Sequence, residues 1–157
     1  MIRILFICHG NICRSPLAEY LFKDIARKAG MEDLFAVSSA ATSYEELGNP
    51  VYPPVRRILE ARGIECTKKR AVRMNRSDYD AYDWLICMDG RNLRGLRDII
   101  DDDAAGKVHL LMEFAGTKRD VADPYYSGDF DACLRDIEEG CRGLFRHLTE
   151  FTEKRSF

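Results

Sequence analysis

The 157-residue chain carries 24 lysines and arginines against 26 aspartates and glutamates, a formal net charge of -2, and 46% of its residues are hydrophobic. A chain of this size buries roughly 70% of the surface its unfolded form exposes, which holds a core without disulfides or a structural metal. The charge balance excludes the strongly basic footprint of a general nucleic-acid binder, and the composition excludes low-complexity disorder.

No apolar run approaches the ~18–20 residues of a membrane span. The opening Met1 to Ile7 passes into polar residues without a cleavage pattern, so the expectation is a soluble, unexported, cytoplasmic protein. Its six cysteines, Cys8, Cys13, Cys66, Cys87, Cys133 and Cys141, then read as reduced thiols. There is no repeat and no linker, so residues 1–157 read as one domain, and nothing demands more than a monomer.

In chain order, Ile2 to Ile7 is an apolar run rich in β-branched residues, the pattern of a strand covered on both faces. After His9-Gly10-Asn11, Ser15-Pro16 predicts a helix start with Ser15 as the capping residue. Leu17, Leu21 and Ile25 carry its apolar stripe as far as Gly30. Leu34 to Val37 reads as a second strand, followed by a loop from Ser38 to Ser43. Pro53-Pro54 opens a helix that stops at Gly63, and Asp83 to Met88 and Val108 to Leu111 are two further strands. Phe130, Cys133, Ile137, Cys141, Leu144, Leu148 and Phe151 recur at three- or four-residue steps, the stripe of a long final helix. Alternating strands and helices predict an α/β fold, a parallel sheet with helices on both faces. Ligands in such sheets bind beyond the carboxyl ends of the strands, which directs attention to the turn after strand one.

That turn reads Cys8-His9-Gly10-Asn11-Ile12-Cys13-Arg14-Ser15-Pro16, a cysteine and an arginine separated by five residues and closing onto a helix N-terminus. Successive N–H groups in a tight loop form an anion nest, and the helix start adds donors and dipole. Gly10 and Asn11 are residue types that accept positive φ. Arg14 can hold two phosphate oxygens with its planar fork. This phosphate-binding loop would also stabilise a Cys8 thiolate, with Ser15 donating to it, so that Cys8 attacks phosphorus and forms a phosphocysteine. No metal is required.

The departing oxygen needs a proton, and a positioned acid contributes roughly 10²–10⁴-fold. Asp123, in Asp123-Pro124-Tyr125-Tyr126, is the candidate: Pro124 biases it towards extended backbone, and Tyr125 and Tyr126 can supply aromatic walls. An aromatic mouth favours a phosphoaryl group over phosphoserine.

Cys8 to Pro16, Val37-Ser38-Ser39-Ala40-Ala41-Thr42-Ser43, Cys87-Met88-Asp89 and Asp123-Pro124-Tyr125-Tyr126 together resemble the low-molecular-weight protein tyrosine phosphatase family along essentially the whole chain. The resemblance implies a four-stranded parallel sheet flanked by helices, no cofactor, and hydrolysis of phosphotyrosine in proteins or peptides through a cysteinyl-phosphate. It implies Cys8 as nucleophile, Arg14 as phosphate clamp and Asp123 as the acid that later activates water. Asn11 and Ser39 would hold the loop, Ser15 would stabilise the thiolate, and Cys13 would be the redox partner that shields Cys8 by a reversible disulfide. His9 stands where the family often has an apolar residue, giving a more polar rim. Tyr44 lies at a position the family varies to shape the pocket, and is expected beside Tyr125 and Tyr126 as a wall for the substrate. Ile12 matches the family's tyrosine phosphatases, whereas its arginine-phosphatase branch has Thr there.

Other readings compete. An arsenate reductase on the same fold needs a relay of cysteines, and beyond Cys87 none follows until Cys133. A phosphocarrier or phosphate-binding module would use the same loop without completing hydrolysis, and an idle recognition protein would hold phosphotyrosine intact. A zinc site from Cys8, His9 and Cys13 with His109 or His147 lacks a second close pair of ligands. The basic stretch from Arg56 to Arg76 reads as a solvated face or as an attractor of acidic or phosphorylated segments. Asp98 with Asp101-Asp102-Asp103 reads as a solvated loop.

Overall fold

The computed structural model describes residues 1–155, with side chains as far as Glu150. Four strands, β1 (Ile2–Cys8), β2 (Phe35–Ala41), β3 (Trp84–Cys87) and β4 (Val108–Leu110), form one parallel sheet in the order β2-β1-β3-β4. This is the four-stranded α/β sheet anticipated from the sequence. Its helices are α1 (Arg14–Lys28), α2 (Pro53–Ala61), α3 (Arg76–Ala81), α4 (Gly90–Ile100), α5 (Pro124–Ser127) and α6 (Phe130–Arg155).

Because side chains alternate along a strand, β1 feeds two cores. Ile4 and Phe6 pack with Leu17, Leu21 and Phe22 of α1 and with Ile137, Cys141 and Leu144 of α6. Leu5 and Ile7 pack with Leu85, Cys87, Leu96 and Ile99 beneath α4. The anticipated final-helix stripe is buried at Cys133, Ile137, Cys141, Leu144 and Leu148; its last member, Phe151, lies outside the residues whose side chains are described. Gly140 and Gly143 let this helix approach the turn Leu111–Ala115, since a Cβ at Gly143 would stand 2.0 Å from the Phe114 carbonyl oxygen.

Several elements differ from expectation. Helix α1 starts two residues early, with Cys13 rather than Ser15 at its N-cap, because the Ser15 hydroxyl is committed to Cys8 and Asn11. Strand β2 continues through Ser38 to Ala41, where a loop was expected, because β1 offers pairing partners as far as Cys8. Helices α3 and α4 open at Asn75 and Asp89, each the head of a reciprocal capping box. Within the acidic run, Asp103 is structural rather than merely solvated: it accepts from the Tyr79 hydroxyl at 2.6 Å and from the Lys107 and Val108 N–H groups at 2.8 and 3.2 Å.

Candidate active site

Strand β1 delivers Cys8 to the carboxyl edge of the sheet, and the chain turns through residues 9–13 into α1. The turn is reversed at Asn11, whose φ of 61° is the left-handed conformation that asparagine tolerates. Gly10 does not take positive φ; its lack of a side chain leaves room for Glu46, whose Cγ would lie 3.2 Å from an added Cβ. The N–H groups of Gly10, Ile12 and Cys13 have no protein acceptor among the described residues. They belong to a loop built as an anion nest.

At the base of this loop the Cys8 sulfur accepts the Asn11 N–H at 3.3 Å and lies 3.0 Å from Ser15 Oγ. The direction of the surrounding bonds is determined from outside. Val72 N–H donates to Asn11 Oδ1 at 3.1 Å, which orients the amide so that Nδ2 donates to Ser15 Oγ at 2.8 Å and Ser39 Oγ at 2.9 Å. Ser39 in turn donates to the Glu19 carboxylate at 2.6 Å, a group that only accepts. Lys23 Nζ holds the other Glu19 oxygen at 2.6 Å, while Lys69 Nζ donates to the Ser39 carbonyl at 3.0 Å. With its lone pair taken by Asn11, Ser15 has its own proton free for Cys8.

Arg14 is buried and points across the loop. Its Nη1 donates to Asp89 Oδ2 and to the Val121 carbonyl, both at 2.7 Å, and its Nη2 reaches Asp123 Oδ2 at 3.4 Å. Burial acts to lower the guanidinium pKa, but the negative charges of Cys8, Asp89 and Asp123 outweigh it and the group rises above its ordinary value. Asp123 caps α5, accepting the Tyr125 N–H through Oδ1 at 3.0 Å. Cys13 is buried, and burial, with the Cys8 charge, pushes its thiol well up.

These groups enclose a cavity of about 210 Å³ lined by the loop from Cys8 to Arg14 and by Glu45, Glu46, Asp123, Tyr125 and Tyr126. Residues as distant in sequence as Cys8, Arg14 and Asp123 therefore share one pocket, with Tyr125 and Tyr126 at its mouth. Ser15 and Ser39 lie behind the loop as supports. Tyr44 is the exception: it does not line the cavity, because its ring lies over the Arg73 guanidinium at 4.2 Å, and Glu45 and Glu46 form the wall in its place. His9 sits at the rim and pairs with Glu45, Nε2 to Oε2, at 3.0 Å. Much of the basic stretch is occupied internally: Lys69 on Ser39, Arg62 on Glu138, Arg73 on the Thr42 carbonyl. Glu19 and Glu45 were not singled out from sequence, and Lys69 entered only as one member of the basic stretch. Asp89 was marked only as the end of Cys87-Met88-Asp89, with no role attached, although an aspartate directly after a strand and three residues before an asparagine is a capping signal.

Among the described residues no helix is long and apolar enough to cross a membrane, and no group of three or more His, Cys, Asp or Glu side chains could hold a metal ion. The cysteines an arsenate-reducing relay would need, Cys87 and Cys133, are both buried, and burial pushes the Cys133 thiol up to about 12.

A parallel sheet with a cysteine–arginine anion loop at the carboxyl end of its first strand defines a class of thiol-bearing phosphate sites on an α/β frame. Residues 3–155 match the family described as low molecular weight phosphotyrosine protein phosphatase. The chain is 36% identical over 150 residues to the low molecular weight protein-tyrosine-phosphatase YfkJ of Bacillus subtilis, covering 94% of this chain and 96% of that one. It is 38% identical over 152 residues to a low molecular weight phosphotyrosine protein phosphatase of Schizosaccharomyces pombe, covering 94% and 97%. The crystal structure of YfkJ superposes with a TM-score of 0.91 at 34% identity, covering 96% of each chain. The chain belongs to the low molecular weight phosphotyrosine protein phosphatase family.

Proposed function

We propose that residues 1–157 act as a single phosphatase domain, a cytoplasmic monomer that hydrolyses phosphotyrosine in proteins or peptides through a cysteinyl-phosphate. The observation that carries this reading is the convergence at Cys8: a sulfur held by the Asn11 N–H and the Ser15 hydroxyl, in one cavity with Arg14 and Asp123.

The substrate phosphate enters the loop, where unpaired N–H groups and Arg14 bind its oxygens. Cys8 thiolate attacks phosphorus in line; the S–P bond forms and the P–O bond to the tyrosyl oxygen breaks. Asp123, at the mouth, gives its proton to the departing oxygen. The resulting carboxylate then takes a proton from water, whose oxygen attacks phosphorus as the P–S bond breaks. Ser15 stabilises the returning thiolate, and inorganic phosphate leaves. Arg14 meets the charge that grows on the equatorial oxygens, while Asp89 and the Val121 carbonyl hold the guanidinium in place. Tyr125 and Tyr126 flank the substrate ring in the pocket that Ile12 also lines.

Cys13 is too protonated to compete as a nucleophile. When peroxide oxidises Cys8 to the sulfenic acid, the Cys13 thiol condenses with it, forming an S–S bond and releasing water.

The test is steady-state hydrolysis of phosphotyrosyl, phosphoseryl and phosphoarginyl peptides with a chelator present, with Cys8→Ser alongside. Chelator-insensitive, Cys8-dependent turnover confined to phosphotyrosine is expected. Preferential cleavage of phosphoarginine would reassign the substrate, and stable phosphate on Cys8 without turnover would make the protein a phosphocarrier.

A further inference from the structure

The pocket is lined by two unlike kinds of side chain. Two are the aromatic Tyr125 and Tyr126, their rings edge to face at 5.4 Å, with Tyr125 backed by Tyr52 at 5.8 Å. Two are carboxylates, Glu45 and Glu46, while Tyr44, anticipated as a wall, does not line it. An acidic wall does nothing to attract a phosphate dianion, which the buried loop already binds, so its chemistry is directed at something else that arrives with the phosphate.

The two carboxylates are not equivalent. Glu46 accepts from Asn49 Nδ2 at 2.6 Å and its stem lies against Gly10, so it is part of the wall's construction. Glu45 is exposed. Its Oε2 meets His9 Nε2 at 3.0 Å, and Oε1 has no partner among the described residues. The segment that carries it is strapped to the phosphate loop: Thr42 N–H donates to the Cys8 carbonyl at 3.0 Å, and Ser43 donates to the His9 carbonyl through both N–H and hydroxyl, at 3.1 and 2.9 Å. Glu45 is thus a carboxylate held at a set place on the rim, with one oxygen free and the other on an exchangeable partner. The nearby cation Arg73 is engaged behind the same segment, over the Tyr44 ring and on the Thr42 carbonyl.

We propose that Glu45 is a specificity-determining residue that pairs with a lysine or arginine next to the phosphotyrosine of a protein substrate. The inference rests on the phosphotyrosine phosphatase reading and narrows it to phosphotyrosines in basic sequence. The substrate cation joins or replaces His9 on Glu45, and an acidic neighbour is repelled by the same carboxylate. His9 is the competitor: it occupies one oxygen of Glu45 when no substrate cation is present.

The experiment compares kcat/KM for two phosphotyrosyl peptides that are identical except for lysines or glutamates on either side of the phosphotyrosine, with p-nitrophenyl phosphate as a common reference. An exposed ion pair acts at the level of a few-fold, so the wild-type protein is expected to favour the lysine peptide by about fivefold, less at 0.5 M salt. Glu45→Gln brings the ratio near one, and Glu45→Lys inverts it. His9→Ala raises it, because Glu45 loses its competitor; a merely structural role for the pair would move both variants in the same direction. Equal rates on the two peptides, or a preference for the glutamate peptide governed by Arg73, would overturn the inference while leaving the phosphatase reading intact. Failure to hydrolyse either peptide or the reference would instead overturn the phosphatase reading.

Discussion

Ser15 Oγ lies 3.0 Å from Cys8 Sγ with its own lone pair engaged by Asn11 Nδ2 at 2.8 Å, so the hydroxyl proton is directed at the sulfur. A hydrogen bond to a charged group contributes about 1.5–3 kcal/mol, so in the proposed mechanism Ser15 would stabilise the thiolate both as nucleophile and as leaving group. Ser15→Ala is expected to lower kcat by about 10- to 100-fold. It should do so mainly by slowing breakdown of the phosphoenzyme, seen as a larger burst of p-nitrophenol before the steady state. A loss confined to KM would place Ser15 in binding rather than in chemistry.

Cys8→Ser removes the thiolate and leaves Arg14 and the N–H groups of the loop in position. Turnover is expected to vanish while inorganic phosphate still binds, as measured by calorimetry. Residual turnover at the wild-type rate would exclude Cys8 as the nucleophile.

Asp123 shares the pocket with Cys8 but does not build the loop, so Asp123→Asn tests proton transfer with little damage to binding. Rates on phosphotyrosyl peptides, whose leaving oxygen needs the proton, should fall by about 10²–10⁴-fold. Rates on activated aryl phosphates, whose leaving groups depart as anions, should fall far less. An equal loss on both substrates would point to a role in holding Arg14, which Asp123 reaches at 3.4 Å.

Asp89 combines two duties. Its Oδ1 accepts the Asn92 N–H at 2.9 Å to cap α4, and its Oδ2 holds Arg14 at 2.7 Å. Asparagine retains the capping acceptor and loses the charge. Leaving a buried guanidinium without its carboxylate costs several kcal/mol in full burial, and the Val121 carbonyl and Asp123 soften this here. Asp89→Asn is expected to destabilise the fold by about 2 kcal/mol and to weaken phosphate binding, read by urea denaturation and calorimetry. Unchanged values in both would remove Asp89 from the support of Arg14.

Asp103 supplies the pH signature. Burial acts to raise its carboxyl, but the Tyr79 hydroxyl and the Lys107 and Val108 N–H groups outweigh it and hold it below the ordinary carboxylate range. A carboxyl lowered on folding stabilises the protein above its unfolded pKa of ~3.9 and loses that contribution as the pH falls through its lower folded value. Asp103→Asn should therefore cost about 1 kcal/mol near neutral pH, and the difference from wild type should shrink below about pH 4. A penalty of constant size from pH 7 to pH 3 would assign the effect to shape rather than charge.

How much of this was legible beforehand follows from how local each feature is. The phosphate loop lies within nine consecutive residues after one apolar strand, and an asparagine able to take positive φ, an arginine and a helix start are all chosen by short-range sterics and hydrogen bonding. The long helix α6 and the buried strands announce themselves by periodicity. Even there, local propensity misplaced the start of α1 and the end of β2, because the Ser15 hydroxyl and the partner strand imposed stronger terms than capping or loop preference.

By itself, then, the sequence determined the sheet's class through its alternating strands and helices, and it marked the loop and the acid proposed for catalysis, each within a short contiguous segment. Tertiary structure alone decided which partners complete them. Asp89 meets Arg14 across 75 positions, Glu19 orients Ser39 across 20, and Glu45 rather than Tyr44 faces the cavity. These depend on strand order and on where a side chain finds its counter-charge. Tyr44 turned to Arg73 and Glu45 to His9, and Coulomb and ring–cation terms between segments brought together only on folding left a carboxylate where the family resemblance had suggested an aromatic wall.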